Sequence, residues 1–233
     1  SNQKPYSIVE FKSKNSTDKG GILIDEDNIC SACRFKTVKA KIDWNEREEK
    51  LIKLLDRHRK GSGYDCIVPS SGGKDSSFAA HVLKYKYNMN PLTVTWAPHL
   101  YTNPGWKNFE SLAHVGGIDN ILYTPNGKLH RKLTQLAFLN LLHPFQPFIV
   151  GQKIIGPNIA AKFDVPLIFY GENQAEYGNP VEQNKTPNMD KSFFSSSEID
   201  IEEMSLGGVK IKNILKNEKF KINDFTPYIP VSE

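Results

Sequence analysis

Short apolar runs and amphipathic stretches alternate along most of this chain, in the order typical of an α/β protein. Four apolar runs predict buried strands, at Tyr64–Pro69, Leu92–Trp96, Ile118–Tyr123 and Val165–Tyr170. Helical periodicity predicts five helices around them: Asp43 to about Lys60, Asp75–Tyr87, Asn103–Gly116, Lys128–Leu142 and Phe148–Phe163. This order implies right-handed crossovers and a parallel sheet with helices on both faces. The predicted fold class is therefore α/β, with a doubly wound parallel sheet.

Capping residues mark where two of these helices begin. Asp43 precedes Trp44 and has Glu46 three residues on, which is the spacing of a capping box. Asn103 precedes Pro104, a residue suited to the first helical position. We therefore expect Asp43 and Asn103 to be N-caps.

The alternating pattern occupies the middle of the chain and divides it into three regions. Residues 1–43 form a polar segment that contains two cysteines, and residues 44–180 form the α/β unit. Residues 181–233 are polar and irregular, with one helical stretch near Ile199–Met204. We expect this last region to be a lid, a partner-docking element or an incomplete subdomain.

The turn after the first predicted strand is the most informative part of the chain. It reads Ser70-Ser71-Gly72-Gly73-Lys74-Asp75-Ser76-Ser77 and opens a helix. A helix N-terminus at the carboxyl edge of a parallel sheet offers N–H groups and a positive dipole to an anion. Two glycines admit phosphate close to the backbone, and the hydroxyls and a lysine add donors. The spacing differs from the G-x4-G-K-[ST] and G-x-G-x-x-G patterns. A glycine-rich turn without a ligand is the alternative.

This string resembles the PP-loop of the ATP pyrophosphatase group, whose fold is that of the adenine nucleotide alpha-hydrolase-like proteins. The resemblance implies that ATP binds with its pyrophosphate on Ser71–Ser76 and is cleaved between the α and β phosphates. An acyl oxygen would be adenylated, and a nucleophile would then displace AMP. Lys74 and Asp75 are the implied catalytic residues: Lys74 would offset phosphate charge, and Asp75 would hold Mg²⁺ or shape the turn. The implied phosphate-binding residues are Ser70, Ser71, Gly72, Gly73, Lys74, Asp75, Ser76 and Ser77.

Two further places on the same edge are candidates for ligand binding. Gly171, Glu172 and Asn173 follow the predicted fourth strand, where Glu172 and Asn173 would bind Mg²⁺, ribose or a sugar. A polar loop without a ligand is the alternative there. Trp96 ends the second strand, near the expected adenine position, and is either a wall of that site or part of the core.

Three cysteines limit the metal and redox chemistry. Cys30 and Cys33 have C-x2-C spacing, but a structural Zn²⁺ needs four ligands and the chain shows no second pair of this kind. They are either half of a zinc site completed by other ligands or two free thiols. Cys66 lies inside the first predicted strand. So few cysteines favour a reducing compartment.

Composition narrows the class of partner. The 233 residues carry a formal charge of +4, and the basic excess lies within residues 1–60. Arg makes up only 5 of the 30 basic residues, so no concentrated nucleic-acid-binding face is predicted. No stretch approaches the ~20 apolar residues of a membrane span, and Ser1–Lys4 begins no apolar leader. We expect a cytoplasmic protein with neither nucleic acid nor membrane as partner.

Segments flanking the PP-loop resemble the N-acetyl sugar amidotransferase family of bacterial surface-glycan biosynthesis. They are Cys30–Arg34 with Ile42–Arg47, Tyr64–Pro69, and Phe169–Gly178. The resemblance spans about residues 25–215 and implies that ATP activates the acetamido oxygen of an N-acetylated sugar. Ammonia from a separate glutaminase complex would then give an acetamidino sugar of the pseudaminic, legionaminic or diamino-uronic kind. A homodimer is left open.

Two other functions are compatible with the same loop. An RNA-modifying ATP pyrophosphatase, of the tRNA thiolase or lysidine-synthetase type, would share the ATP chemistry. A non-catalytic nucleotide sensor would bind ATP without cleaving it. His99, His114, His130 and His143 have no partner close in sequence, so none is assigned as a base.

Overall fold

The computed structural model describes residues 24–172, 195–196 and 200–232, and its central unit is the predicted α/β arrangement. Two helices precede the sheet, α1 (Ser31–Lys39) and α2 (Trp44–His58), of which α1 is not predicted by the sequence pattern. The central unit then follows in the order β1 (Cys66–Pro69), α3 (Lys74–Tyr85), β2 (Pro91–Trp96), α4 (Asn103–His114), β3 (Asp119–Tyr123), α5 (Gly127–Leu141) and α6 (Gln146–Lys162). The α/β prediction is confirmed.

Helices α2 and α4 both begin at a side-chain cap, but the cap of α4 lies one residue earlier than expected. Asp43 caps α2, because its Oδ1 accepts hydrogen bonds from Asn45 N–H at 3.0 Å and Glu46 N–H at 3.1 Å. The expected cap at Asn103 is wrong by one residue. Thr102 is the N-cap of α4, and its hydroxyl accepts from Gly105 N–H at 3.1 Å. Thr and Asn both cap through a side-chain oxygen, so the sequence alone does not separate them.

The central sheet is parallel, in the order β1-β2-β3. The fourth predicted strand, Val165–Tyr170, is reduced to a single bridge between Ile168 and Ile67, on the side of β1 away from β2. Val165 N–H is still bonded to Ala160 O at the end of α6, and Pro166 has no N–H to donate. The prediction of a full strand is therefore wrong in extent, although its position beside β1 gives the sheet a topological switch point there.

The sheet separates two hydrophobic clusters. In β1, Cys66 and Val68 point to one side and join Leu55 of α2, Leu83 of α3 and Leu112 of α4. Ile67 points to the other side, where α5, α6 and the C-terminal elements pack. Helix α6 lies unusually close to the sheet: a Cβ on Gly151 would be 2.3 Å from the Trp96 ring, and one on Gly156 would be 2.9 Å from Pro69. These two glycines let α6 cover β1 and β2 directly.

The described C-terminal residues belong to the same core as α5 and α6. The short strands β4 (Ser195–Ser196), β5 (Ser205–Leu206), β6 (Val209–Lys210) and β7 (Val231–Ser232) accompany α7 (Ile211–Asn217) and a 3-10 helix, Ile222–Tyr228. Phe225 and Tyr228 are fully buried in the cluster that contains Ile67. The expected helical stretch near Ile199–Met204 is a single turn from Asp200 to Met204, and Ile199 lies outside the described residues. The described C-terminal residues therefore share the hydrophobic core of the central unit.

Candidate functional site

The turn between β1 and α3 is held in shape by its own serines. Ser70 N–H continues the sheet pairing by donating to Val94 O at 2.9 Å. The buried Ser70 hydroxyl donates to Ser76 Oγ at 3.0 Å, and Ser70 Oγ accepts from Gly72 N–H at 3.3 Å. Ser70 and Ser76 thus fix the turn from beneath, while Ser71 lies exposed at its surface.

Gly72 is the residue that this turn needs most. Its φ of +76° lies in the left-handed region, which favours glycine. A Cβ at Gly72 would also lie 2.7 Å from Phe109 Cα and 2.9 Å from Phe109 N, both backbone atoms of α4. The turn therefore packs backbone to backbone against α4, and a side chain at this position is excluded on two grounds.

The N-terminus of α3 faces outward at the carboxyl edge of the sheet. Its N-cap is Gly73, which supplies no side-chain hydrogen bond to the first turn. Gly73, Lys74 and Asp75 are exposed, and Ser77 N–H makes the first helical bond, to Gly73 O at 3.0 Å. Lys74 Nζ and Asp75 Oδ1 are 2.7 Å apart. A helix end without a side-chain cap, lined by glycine and serine, suits a phosphate group.

The chain returns to this turn after the Ile168 bridge. A Cβ on Gly171 would lie 2.6 Å from Ser76 Cα and 2.8 Å from Asp75 C, so the two segments touch through their backbones. Glu172 follows and is exposed, and Asn173 lies outside the described residues. The structure therefore brings Gly171 against the turn formed by residues 70–77, at the switch point beside β1, where α/β sheets bind ligands.

Trp96 lies in the core. Its side chain is only 3% exposed, it stacks on Tyr123 with ring centroids 5.3 Å apart, and its ring rests on Gly151. In this arrangement the indole faces no open surface, so it provides packing beneath the carboxyl edge. This is the core alternative of the sequence analysis.

A different tryptophan stands on the surface beside the turn. Trp106, in the first half of α4, is 38% exposed. Its ring contacts Tyr101 edge-on at 5.0 Å and Phe109 at 5.4 Å, and Phe109 is the residue whose backbone touches Gly72. Helical periodicity predicts the helix that contains Trp106 but does not separate this residue from the other apolar residues of the same helix. Its position in the first turn of a helix that starts at the carboxyl edge is the feature that distinguishes it.

His99, which follows β2, and His130 of α5 are far apart in sequence but in contact in the fold. The His99 and His130 rings are 4.7 Å apart, and His130 Nδ1 lies 2.6 Å from Tyr228 Oη. Thr134 donates its hydroxyl hydrogen to His130 O at 2.8 Å, so it accepts from His99 Nε2 at 3.2 Å. Burial lowers the pKa of His130 to about 4, with a smaller contribution from His99. His130 is therefore neutral at pH 7. The sequence does not predict the contact between His99 and His130, because only tertiary packing brings them together.

The cysteines do not form a complete metal site within the described residues. Cys30 and Cys33 lie at the start of α1, and a hydrogen bond between their thiols raises the pKa of Cys33. In the described part of the chain no third histidine, cysteine or carboxylate joins them, so the residues present do not fit a four-ligand Zn²⁺ site. Cys66 is fully buried, and burial together with nearby Asp65 raises the pKa of its thiol to about 12.

Mg²⁺ is a different case, because a nucleotide's phosphates supply much of its coordination. Asp75 is half exposed and lies at the mouth of the turn, where one carboxylate together with phosphate oxygens fits the ion. Glu172 is a second exposed carboxylate that follows Gly171 on the same edge.

Comparison with known proteins gives limited similarity. No protein-family profile matches the chain. A stretch of 41 residues is 46% identical to an uncharacterized protein of Methanocaldococcus jannaschii, covering 18% of this chain and 15% of that protein. The crystal structure of a predicted subunit of tRNA methyltransferase from Methanocaldococcus jannaschii is similar over 68% of this chain and 90% of that one, with 20% identity and a TM-score of 0.33. Neither similarity assigns this chain to a family.

Within the described residues, no helix is both long enough and apolar enough to cross a membrane.

Proposed function

We propose that this chain binds ATP on the turn formed by residues 70–77 and transfers its AMP portion to an acyl oxygen. The observation that carries the proposal is the N-terminus of α3: it has no side-chain cap, is lined by glycine, and lies against Gly171 at the switch point. Gly72 packs against α4 and Gly171 packs against α3, and neither position has room for a Cβ. Ser71, Gly73 and Asp75 are exposed to solvent. This geometry favours an anion with several oxygens.

In the proposed reaction the chain mainly orients its substrates and offsets charge. The acyl oxygen attacks the α phosphorus, the bond from the α phosphorus to the bridging oxygen breaks, and pyrophosphate leaves on the turn. Backbone N–H groups of the first turn of α3 and the Lys74 ammonium stabilise the developing negative charge. Mg²⁺, when bound by Asp75 and the phosphates, would add further charge neutralisation.

The acceptor that we propose is the acetamido oxygen of an N-acetylated sugar, with ammonia as the nucleophile that displaces AMP. The resemblance of the flanking segments supports this choice. The cysteines support an external ammonia source, because a glutaminase needs an accessible thiolate. Cys66 is buried with a pKa of about 12, and Cys30 and Cys33 are bonded to each other through a thiol hydrogen bond. A separate glutaminase is therefore part of the proposal.

The second candidate keeps the ATP chemistry and places a tRNA base at the acceptor position. The name of the solved neighbour, a predicted subunit of tRNA methyltransferase, refers to tRNA. Buried Cys66 argues against a thiolase that uses this cysteine, so the lysidine-synthetase type is the better form of this candidate. Adenosine at the exposed Trp106 and Tyr101 rings is compatible with both acceptors.

The discriminating experiment measures AMP and pyrophosphate formed from ATP and Mg²⁺ by the full chain. One arm contains ammonium and a panel of N-acetylated sugars, and the other contains tRNA with free lysine as the amine that displaces AMP, at two salt concentrations. We expect AMP in the sugar arm, its loss in Asp75→Ala, and its retention in the control Asp56→Ala, a surface carboxylate on α2. AMP only in the tRNA arm would select the second candidate, while ADP as the product or an unchanged Asp75→Ala rate would refute both.

A further inference from the structure

Helix α5 carries apolar side chains on two faces, and only one of them is buried. Leu129, Leu133 and Ala137 pack into the core with no exposed surface. On the outer face Phe138 is 57% exposed and Leu139 is 65% exposed. Burial of the core face alone would not require aromatic or branched residues on the outer one, so the second stripe needs its own explanation.

The outer apolar residues lie close together in sequence, and we name them the α5 stripe: Phe138, Leu139, Leu142 and Phe145. Phe138 and Leu139 lie in the last turn of α5, and Leu142, which is 83% exposed, is its left-handed C-cap residue. Phe145 is 54% exposed and follows in the turn to α6, where its ring contacts His99 at 5.7 Å. The stripe thus covers the last turn of α5 and the connection to α6, with an aromatic side chain near each end.

The charges around the α5 stripe separate a protein partner from a lipid surface. No acidic residue occurs between Asn120 and Phe163, and the basic residues of α5 lie at its other end. There Lys132 is bonded to Glu218 at 2.6 Å. Within residues 135–145, the segment that carries the stripe, the polar residues are Gln135, Asn140 and His143, and none is an aspartate, glutamate, lysine or arginine. Helices that lie on membranes border their apolar face with lysine and arginine, which this stripe does not have.

The size of the α5 stripe matches a contact between two copies of this chain. Its four side chains expose about 500 Å² per copy, given the area that aromatic and leucine side chains bury. Two copies would hide about 1,000 Å² before their polar borders add to it, which reaches the range of specific interfaces. A single apolar stripe on one helix is also self-complementary under twofold symmetry. The uncharged border sets no requirement for a partner of opposite charge.

We propose that this chain forms a twofold-symmetric dimer in which the α5 stripes of two copies pack antiparallel. Leu139, near the centre of the stripe, then lies close to the twofold axis and to Leu139 of the other copy. This contact is independent of the proposed ATP chemistry.

Sedimentation and light scattering of the full chain between about 1 and 100 μM test the proposal, because interfaces of about 1,600 Å² are micromolar or tighter and this smaller contact belongs at the weak end of that range. We expect a dimer for the wild-type chain and a monomer for Leu139→Lys, because two ammonium groups would meet at the axis. The matched control is Val115→Lys, at an 81% exposed apolar residue at the end of α4. It should remain dimeric.

A cross-linking measurement keeps the test independent of folding. In a Cys30→Ser, Cys33→Ser background, which removes the two thiols near α1, Leu139→Cys should form an intermolecular disulfide under mild oxidation, whereas Val115→Cys and the unsubstituted background should not. A monomeric wild-type chain at 100 μM would overturn the proposal and leave the stripe to a different protein or a lipid surface. A dimer that persists in Leu139→Lys, or a Leu139→Cys chain that fails to cross-link, would overturn it equally.

Discussion

Replacing Gly72 by alanine tests the backbone contact between the turn formed by residues 70–77 and helix α4. The new Cβ would lie 2.7 Å from Phe109 Cα, whereas carbon atoms normally approach to about 3.5–4.0 Å. The neighbouring atoms are backbone, so no side-chain rotation relieves the overlap. Overpacking of this kind costs about 1–3 kcal/mol. The positive φ adds about 1–2 kcal/mol for a residue with a Cβ. We expect Gly72→Ala to lower the free energy of unfolding by about 2–5 kcal/mol.

Two other glycines of the chain separate these contributions. Gly61 has a φ of +70° but no atom within 4 Å of the position that a Cβ would take, so Gly61→Ala should cost only the strain, about 1–2 kcal/mol. Gly73 has a φ of −71° and faces only the rotatable Ser71 hydroxyl at 3.2 Å. Gly73→Ala should cost a few tenths of a kcal/mol.

Urea unfolding followed by tryptophan fluorescence gives the three free energies, and calorimetric titration of ATP gives the effect on the turn. At about 2–4 °C per kcal/mol for a chain of this size, Gly72→Ala should melt roughly 4–20 °C below the wild type. It should also bind ATP at least tenfold more weakly than Gly61→Ala. A Gly72→Ala chain as stable as Gly61→Ala would refute the packing of the turn against α4.

Three further predictions concern single side chains. Asp75→Asn should lower the rate of AMP formation by about 100-fold or more, since it removes the carboxylate that we propose holds Mg²⁺ beside the phosphates, while the melting temperature stays within about 2 °C because the Lys74 pair is exposed. A rate within threefold of the wild type would remove Asp75 from the proposed site. Trp106→Ala should weaken ATP binding about two- to tenfold and leave binding of inorganic pyrophosphate unchanged, because only the base would contact the ring; equal effects on both ligands in calorimetry would contradict a base contact. His130 has a pKa of about 4 in the folded chain against an ordinary value of 6.5, so the unfolded chain binds more protons between these two pH values. The free energy of unfolding should therefore be highest above about pH 6.5 and fall by about 2 kcal/mol between pH 7 and pH 5. His130→Phe should flatten that slope in urea unfolding at each pH, and an unchanged slope would show that another group controls it.

The parts of the fold that local sequence pattern determines were predictable. The buried strand at Cys66–Pro69, a capping aspartate at Asp43 and the helix that opens at Lys74 all depend on neighbours within a few residues. The prediction of a full fourth strand was wrong because the pairing of this segment depends on where the end of α6 leaves Val165, and on a proline at position 166. Nothing within the apolar run itself reports where α6 ends.

The candidate site shows the same division between local and tertiary information. The glycine and serine string after β1 predicts an anion-binding turn from its own residues. The roles of the two tryptophans depend on which helix covers each of them: α6 covers Trp96 through Gly151, and Trp106 stands at the exposed end of α4. The contact between His99 and His130 likewise joins two segments that only the parallel sheet brings together. These assignments need tertiary packing, which periodicity along one element does not contain.

We propose that the turn formed by residues 70–77 holds the phosphates of ATP. Calorimetric titration of ATP, and separately of inorganic pyrophosphate, into the full chain with Mg²⁺ measures this binding without any acceptor substrate. We expect one site for each ligand and competition between them, because both would occupy the N-terminus of α3. Absence of heat with either ligand, or ATP binding that pyrophosphate does not displace, would contradict it.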